Sequence, residues 1–220
     1  PNVLPSQSQE TGEPQTQAPT PAQTPAATPT PTVEPFTIDD FLGYDQQYIS
    51  FTQSSPEQVL EETYLEYNDS DTSTGKKRLQ RRSINSEGGS VVEVLVADDT
   101  SLQRTYQTSA GYTLNMLDRK ENPKVLRQMP ITVGQSWDIP SGKSVITSTS
   151  MTLDVPLGYV DTIEVTSTLD NGEKHLTYFS KGLGLIAEYH YDQSGALLFS
   201  RKATATEQTK AFMQKIRFFY

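Results

Sequence analysis

The two histidines, His175 and His190, are the side chains of this chain best suited to bind a metal ion or carry a proton. Zinc sites use three or four ligands from histidine, cysteine and carboxylate, and this chain has no cysteine. A site would need both histidines and a carboxylate such as Glu188, which shares a strand face with His190. The histidines fall on neighbouring predicted strands, so they could lie near the same end of a sheet. A pair of exposed hairpin residues is the simpler interpretation, and we predict no metal site and no cofactor.

The motifs of common hydrolases and phosphate-binding enzymes are absent or incomplete. No Gly-x-Ser-x-Gly segment occurs, and without cysteine the chain has no thiol nucleophile. Residues 142–144 (Gly-Lys-Ser) are similar to the end of a phosphate-binding loop, but Trp137 stands where such a loop needs its first glycine. Neighbouring carboxylates such as Glu61 and Glu62 are too common to assign. We predict that the chain is not an enzyme, with a carboxylate-dependent hydrolase as an alternative.

One basic run stands out between residues 76 and 82. Its cations are Lys76, Lys77, Arg78, Arg81 and Arg82. It could contact anionic lipid head groups or a wall polymer such as teichoic acid, at about 1 kcal/mol for each charge near the surface. A nucleic-acid role is disfavoured because no aromatic side chains interleave with these cations. Of the two interpretations, we favour the alternative of a solvated edge strand protected by positive charge.

Four aromatic side chains are candidate ligand contacts: Trp137, Tyr159, Tyr178 and Phe179. Trp137 is the only tryptophan, and an exposed tryptophan could stack on a sugar or a peptide. Its position after Gly134 at a predicted strand start also fits a core side chain. We favour the core role for Trp137.

Two glycines, Gly182 and Gly184, flank Leu183 at the start of a predicted strand. They could allow a backbone to approach a ligand, or mark a bulge or a close strand crossing where only glycine fits. A dinucleotide fingerprint would need a third glycine and a following helix. We therefore favour the structural role.

The first 35 residues differ in composition from the rest of the 220-residue chain. They hold nine of the 14 prolines, alternating with threonine, glutamine and alanine, and no lysine or arginine. Such a segment cannot bury enough apolar surface to offset the entropy of ordering, so we predict a disordered stalk over 1–35. The net charge of −9 also argues against nucleic-acid binding.

Residues 36–204 show the pattern of one antiparallel β domain, with short runs rich in threonine, valine, isoleucine and aromatics between turn residues. We predict a mainly β fold, a single antiparallel meander of about nine to eleven strands that forms a strongly curved sheet, open barrel or sandwich. The Asn171-Gly172 pair predicts a type I′ hairpin. The predicted strands are 44–52, 61–67, 76–84, 90–97, 101–107, 112–117, 145–155, 159–168, 174–180, 183–191 and 196–203.

The segment 205–220 is predicted to hold a short C-terminal helix and an apolar end. Thr204 could cap that helix, with Glu207 completing a capping box. The apolar residues 216–220 would then dock onto the domain or begin a further module.

Several segments between 129 and 186 resemble a domain of uncharacterised lipoproteins from Gram-positive (Firmicutes-type) bacteria. They are 130–137 (PITVGQSW), 145–148 (VITS), 155–159 (VPLGY), 162–165 (TIEV) and 178–186 (YFSKGLGLI). The likeness extends over roughly 39–202, and departs from the family pattern at Val155 and at the Phe179-Ser180 pair. The resemblance implies a place outside the cytoplasmic membrane, with a lipid tether, and implies no activity.

These observations together predict a non-catalytic, extracytoplasmic, lipid-anchored domain on a Gram-positive surface that binds a lipid, a cell-wall polymer or a protein partner. The lipid anchor would lie N-terminal to this chain, and absence of cysteine fits an exported protein. A structural module that positions a neighbouring domain is the alternative, suggested by the apolar end at 216–220.

Overall fold

The computed structural model describes residues 36–43, 48–54, 58–71, 73–111 and 114–207. The predicted stalk at 1–35 and the predicted helix beyond Glu207 lie outside these residues. Among the described residues, no helix is long and apolar enough to cross a membrane.

Twelve strands in the described part of the chain form one antiparallel sheet, preceded by a 3-10 turn at Ile38–Phe41. The mainly β, antiparallel prediction is confirmed, with one strand more than its upper bound. The strands are β1 Tyr48–Ser54, β2 Gln58–Asp71, β3 Lys76–Asn85, β4 Ser90–Ala97, β5 Ser101–Ser109, β6 Lys124–Gln128, β7 Ser136–Ile139, β8 Gly142–Val155, β9 Gly158–Leu169, β10 Lys174–Ser180, β11 Gly184–Tyr191 and β12 Leu197–Glu207.

The strand order explains the curvature of the sheet. It runs β6-β5-β4-β3-β2-β1-β12-β11-β10-β9-β8-β7, so β1 and β12 pair at the centre and β6 and β7 form the two edges. The link between β6 and β7 is short and brings the two edges next to each other. The sheet therefore nearly closes into a barrel, and alternate side chains of each strand point into one shared interior.

The segment 112–117 was predicted to be a strand, and this prediction is wrong for its described part. Leu114 to Leu117 has no strand structure, and the neighbouring side chains of Met116 and Leu117 are both buried, which strict alternation does not allow. The Gln80 side chain accepts a hydrogen bond from the Met116 amide at 2.6 Å and donates one to the Leu114 carbonyl at 2.7 Å. These side-chain bonds replace a strand ladder, and β6 follows in a segment predicted to be an irregular link.

The turn between β9 and β10 is correctly placed, but its predicted type is wrong. Gly172 has a positive φ of 84°, whereas Asn171 does not have the positive φ that a type I′ turn requires. The Leu169 carbonyl accepts from the Gly172 amide, and the Leu169 amide donates to the Glu173 carbonyl, both at 2.9 Å. Four residues separate the strand ends, so the connection is longer than the two-residue loop of a type I′ hairpin.

The start of the predicted C-terminal helix is also a strand. Residues 205–207 continue β12 and pair with β1, with Ala205 opposite Ser50 and Glu207 opposite Tyr48. The Ser50 and Thr204 hydroxyls lie 2.7 Å apart across this pair. Pairing with β1 thus overrides the capping-box pattern of Thr204 and Glu207, because tertiary contacts outweigh local propensity.

The buried apolar residues form three clusters. The first lies inside the sheet and joins the 3-10 turn to β3, β4, β5 and β7 to β10. The second joins β1 and β10 to β12 with the tip of the β8–β9 hairpin. The third packs β4 against the segment 110–117. Trp137, 5% exposed, belongs to the first cluster, as the core role proposed for it requires.

Candidate functional site

A cavity of about 670 Å³ occupies part of the barrel interior. Its volume lies within the roughly 300–1,000 Å³ that is typical of small-molecule sites. Side chains from all twelve strands line it, including Ile139 from β7 and Ser144 from β8. The cavity is therefore a property of the closed sheet and is not made by one loop.

One part of the cavity wall is apolar. It includes Phe41 from the 3-10 turn, Leu102 from β5, Leu126 from β6, Phe179 from β10 and Leu185 from β11. Several of these side chains also belong to the first apolar cluster, so the wall is continuous with the core. An apolar wall of this kind accommodates hydrocarbon, because it offers dispersion contacts and no polar groups that would need water.

The other part of the cavity wall carries a ladder of alternating charges, which begins on β3 to β5. Arg81 lies opposite Glu93 in the register of β3 and β4, with 3.7 Å between guanidinium and carboxylate. Arg104 on β5 approaches the same carboxylate to 3.2 Å. Burial lowers the pKa of Arg81, and Glu93 offsets part of that effect.

The ladder continues across the centre of the sheet, where Glu188 on β11 and Arg201 on β12 line the cavity and Glu61 on β2 pairs with Arg201 without lining it. Arg201 forms an ion pair with Glu61 and lies 3.5 Å from Glu188, which is opposite it in the register of β11 and β12. Its guanidinium also lies 4.2 Å from the centre of the Phe51 ring. All three carboxylates of the ladder are thus held by arginine.

Two further cations, Lys124 and Arg127, line the cavity on the edge strand β6. No carboxylate of the described residues lies within ion-pair distance of either one. Burial lowers the pKa of Lys124, and nearby Arg104 and Arg127 add to that effect. Burial also lowers the pKa of Arg127 to about 9. Because this value is still above neutral pH, the guanidinium remains protonated there. The ladder and β6 together leave the cavity with an excess of two positive charges.

Arg127 is the most deeply buried of these cations, at 6% exposure. Its guanidinium lies 3.4 Å from the centre of the Phe179 ring, and one terminal nitrogen donates to the Leu126 carbonyl. Its Nε has no hydrogen-bond partner among the described residues, and the same holds for the buried Nε atoms of Arg81 and Arg201. Three arginines of the cavity wall are therefore only partly satisfied by the described part of the chain.

The two histidines lie together, as the sequence predicted. His175 and His190 are directly opposite in the register of β10 and β11, and their rings stack with centroids 3.7 Å apart. Burial lowers the pKa of His190, and the adjacent His175 lowers it further. His175 lines the cavity, and its Nε2 lies 3.6 Å from a Glu173 carboxylate oxygen. Within the described ranges, no group of three histidine or carboxylate side chains is arranged to hold a metal ion.

Of the four aromatic candidates, the structure places only Phe179 in the cavity wall. Tyr178 points to the other side of β10, where its hydroxyl donates to Glu164 at 2.8 Å. Burial and that carboxylate raise the pKa of Tyr178. Tyr159 is 81% exposed at the β8–β9 turn, and Trp137 is buried. The candidates do not converge on one site.

The basic run does not form a single cationic surface. Its strand, β3, lies between β2 and β4, so the alternative interpretation as an edge strand is wrong. Successive side chains alternate between faces: Arg81 lines the cavity, while Arg82 is buried in a separate polar cluster. The ion-pair partners are Asp39 for Lys77, Asp69 and Asp118 for Arg78, Glu93 for Arg81 and Glu66 for Arg82.

The structural role of Gly182 and Gly184 is confirmed. Both have positive φ, 73° and 75°, and the Gly182 amide donates to the Asp40 carbonyl at 2.9 Å. A side chain at Gly184 would bring its Cβ to 3.1 Å from the Phe41 carbonyl oxygen. The glycines thus let the 3-10 turn pack closely on the β10–β11 turn, which positions Phe41 at the cavity.

Comparison with known proteins supports the architecture. No protein-family model and no curated protein matches the chain. An inferred exported protein of YmcC-like fold from Bacteroides fragilis aligns with a TM-score of 0.50 at 8% identity, covering 73% of this chain and 95% of its own. An inferred lipoprotein from Parabacteroides distasonis gives 0.45 at 8% identity, covering 74% and 95%. MucB, in complex with MucA(peri), gives 0.38 at 12% identity, covering 76% and 52%.

At these identities the likeness concerns the fold alone. The TM-score of 0.50 for the Bacteroides fragilis protein supports a common fold, and the present chain shares the YmcC-like architecture. The site chemistry described above comes from the side chains of this chain.

Proposed function

We propose that this domain is a non-catalytic, extracytoplasmic binding module that holds an amphiphilic lipid in the cavity of its sheet. The observation that carries the proposal is that one 670 Å³ cavity is lined both by apolar side chains continuous with the core and by a network of charged side chains. An amphiphile has both an apolar and a polar part, and each of its parts would meet a matching surface. A cell-wall polymer, the other ligand considered from the sequence, would need little of the apolar wall.

The charged groups support binding more than catalysis. Each carboxylate of the ladder, Glu61, Glu93 and Glu188, is engaged by Arg81, Arg104 or Arg201. A glycosidase-like mechanism needs one carboxyl group as acid and another as base or nucleophile, both free to act on the substrate. The ion pairs hold Glu93 and Glu188 in place as parts of the wall and fix Glu61 beside it.

The extracytoplasmic location rests on the sequence. The proline- and threonine-rich segment at 1–35, the absence of cysteine and the resemblance to Gram-positive lipoproteins motivate it. The neighbour of YmcC-like fold is itself described as an inferred exported protein. The neighbours from Bacteroides and Parabacteroides lend no support to a specifically Gram-positive surface. A lipid anchor N-terminal to this chain remains part of the proposal.

A cavity-filling variant tests the proposal. Thr177 lines the cavity and is half-buried, so Thr177→Trp would occupy space that the hydrocarbon chain needs. Thr168→Trp, at an exposed position of the adjacent strand β9, is the matched control. Displacement of a neutral solvatochromic dye by dodecanol and dodecanoate should be about 10-fold weaker in the first variant and unchanged in the second.

Equal binding by wild type and both variants would show that ligands bind outside the cavity and would contradict the proposal. Failure of the wild type to bind any single-chain amphiphile would contradict it as well. Thermal unfolding of each variant checks that the sheet is intact before binding is compared.

A further inference from the structure

We propose that the amphiphile bound by this domain carries an anionic head group, a carboxylate or a phosphate, that binds between Arg127 and Lys124 on β6. The inference rests on the proposed function and adds the chemical class of the ligand. It is carried by the two cations at the cavity wall that have no ion-pair partner among the described residues.

The first step concerns the stability of the protein without ligand. Arg127 is 6% exposed, and no carboxylate of the described residues pairs with it or with Lys124. A buried charge without a counter-charge destabilises a fold. Phe179 offsets part of this cost through its ring face, 3.4 Å from the guanidinium. A ligand anion would supply the missing partner.

The second step concerns geometry. The Arg127 guanidinium has one terminal nitrogen on the Leu126 carbonyl, its Nε is enclosed by protein atoms, and its other terminal nitrogen makes no hydrogen bond to the described residues. Guanidinium N–H groups form strong, charge-assisted hydrogen bonds with carboxylate and phosphate, and this terminal nitrogen is the donor left for a ligand. Lys124, three residues earlier on β6, adds a second positive charge at the same wall.

The third step concerns the orientation of the ligand. Leu126 and Phe179 border Arg127 and also belong to the apolar wall. A head group on Arg127 would therefore place its hydrocarbon chain directly against the first apolar cluster. A free phosphate ion would gain the charge contacts but leave this apolar surface unfilled, so we expect the chain to be required for tight binding.

The experiment compares four ligands on the purified chain near neutral pH by displacement of the same neutral dye. Dodecanoate and dodecyl phosphate carry the anion and the chain, dodecanol carries the chain alone, and inorganic phosphate carries the anion alone. Both anionic amphiphiles should bind about 10- to 100-fold more tightly than dodecanol, as charge-assisted hydrogen bonds predict. Inorganic phosphate should not displace the dye at concentrations where they do.

The matched variants remove two charges each. Lys124→Gln with Arg127→Gln should abolish the preference for dodecanoate over dodecanol while leaving dodecanol binding within about threefold of wild type. Arg119→Gln with Lys120→Gln removes two exposed charges from the loop before β6 and should keep the full preference. Retained dodecanol binding shows that the first variant is folded, and Arg127→Gln alone serves if the double variant does not fold.

The outcomes separate this inference from the proposed function. Equal affinity of the wild type for dodecanol and dodecanoate would overturn the anion site and leave the lipid cavity standing. Binding of inorganic phosphate as tight as that of dodecyl phosphate would overturn the amphiphile. A preference for anions that survives in the β6 variant would place the head group elsewhere and overturn the site.

Discussion

Two buried arginines, Arg82 and Arg127, lie on opposite faces of the sheet and differ in how completely the protein satisfies them. Arg82 donates from Nε to Glu66 at 3.0 Å and from Nη1 to the Ser90 hydroxyl and the Ala110 carbonyl. Gln80 joins the same cluster through Glu66. Within the described residues, the contacts of the Arg127 guanidinium are a carbonyl of its own strand and an aromatic ring.

The difference separates a structural polar cluster from a binding site. The cluster of Glu66, Gln80 and Arg82 fastens the segment 110–117 to the sheet, and its hydrogen bonds are made within the chain. Arg127 and Lys124 at the cavity keep charge and donors that the protein leaves unused. Proteins tolerate unpaired buried charges and donors at sites where a ligand will pair with them. The unpaired group lowers the stability of the free protein, and its pairing with the ligand contributes to the binding free energy.

The largest expected effect is the loss of Arg82. Arg82→Met would leave the Glu66 carboxylate buried without its counter-charge, so we expect the free energy of unfolding to fall by about 3–5 kcal/mol. Urea unfolding followed by circular dichroism measures it. Arg78→Met, on the same strand but with one third of its side chain exposed, should cost less than about 1 kcal/mol. Similar losses for the two variants would contradict the account of the Arg82 cluster.

Arg127→Met should behave in the opposite way. Removing a buried charge that has no carboxylate partner should leave the free energy of unfolding unchanged or raise it by about 1 kcal/mol, with the lost Phe179 contact offsetting part of the gain. The melting temperature without ligand would then stay level or rise by roughly 2–4 °C. A loss as large as that of Arg82→Met would show that Arg127 is a structural residue and that the comparison is mistaken.

The stacked histidines should make the free energy of unfolding depend on pH. The pKa of His190 lies below its ordinary value of 6.5 because burial disfavours the charged ring. The unfolded chain therefore binds more protons than the folded one as pH falls below about 6.5, and stability should fall with it. Unfolding at pH 7.5 and 5.5 should show a steeper loss for wild type than for His190→Gln. Equal losses of stability in wild type and His190→Gln would contradict a role of the histidine pair in the pH dependence.

The smallest expected effect concerns the surface ion pair of Lys77 with Asp39. Both side chains are at least one third exposed, so Lys77→Gln should change the free energy of unfolding by less than about 1 kcal/mol. The change should shrink further in high salt, because added ions screen exposed charges. A loss near that of Arg82→Met would mean that the 3-10 turn depends on this pair.

Local patterns predicted most of the fold. The hairpins β3–β4, β8–β9 and β11–β12 were expected from alternating apolar runs between turn residues, and they lie where predicted. The errors occur where a distant contact decides the structure: Gln80 holds 114–117 out of strand geometry, and pairing with β1 extends β12 to Glu207. A single sequence shows neither contact.

The candidate site was much harder to predict. Arg81, Arg104, Arg127 and Arg201 come from four strands that only the nearly closed sheet brings to one cavity. Arg81 was noticed, but as part of one basic surface, and alternation along β3 assigns it and Arg82 to different faces. The available hint was the close spacing of two basic residues around an apolar pair in 124–128, with Arg127 the second of them. That hint becomes specific only after the register is known.

The most direct test of the central claim is a crystal structure of the domain with ω-bromododecanoate, in which anomalous scattering locates the bromine. The account predicts a carboxylate within hydrogen-bond distance of the Arg127 guanidinium, and a bromine peak against the apolar wall near Leu102 and Leu185. A ligand bound on the outer face of the sheet, or a carboxylate pointing away from β6, would contradict it.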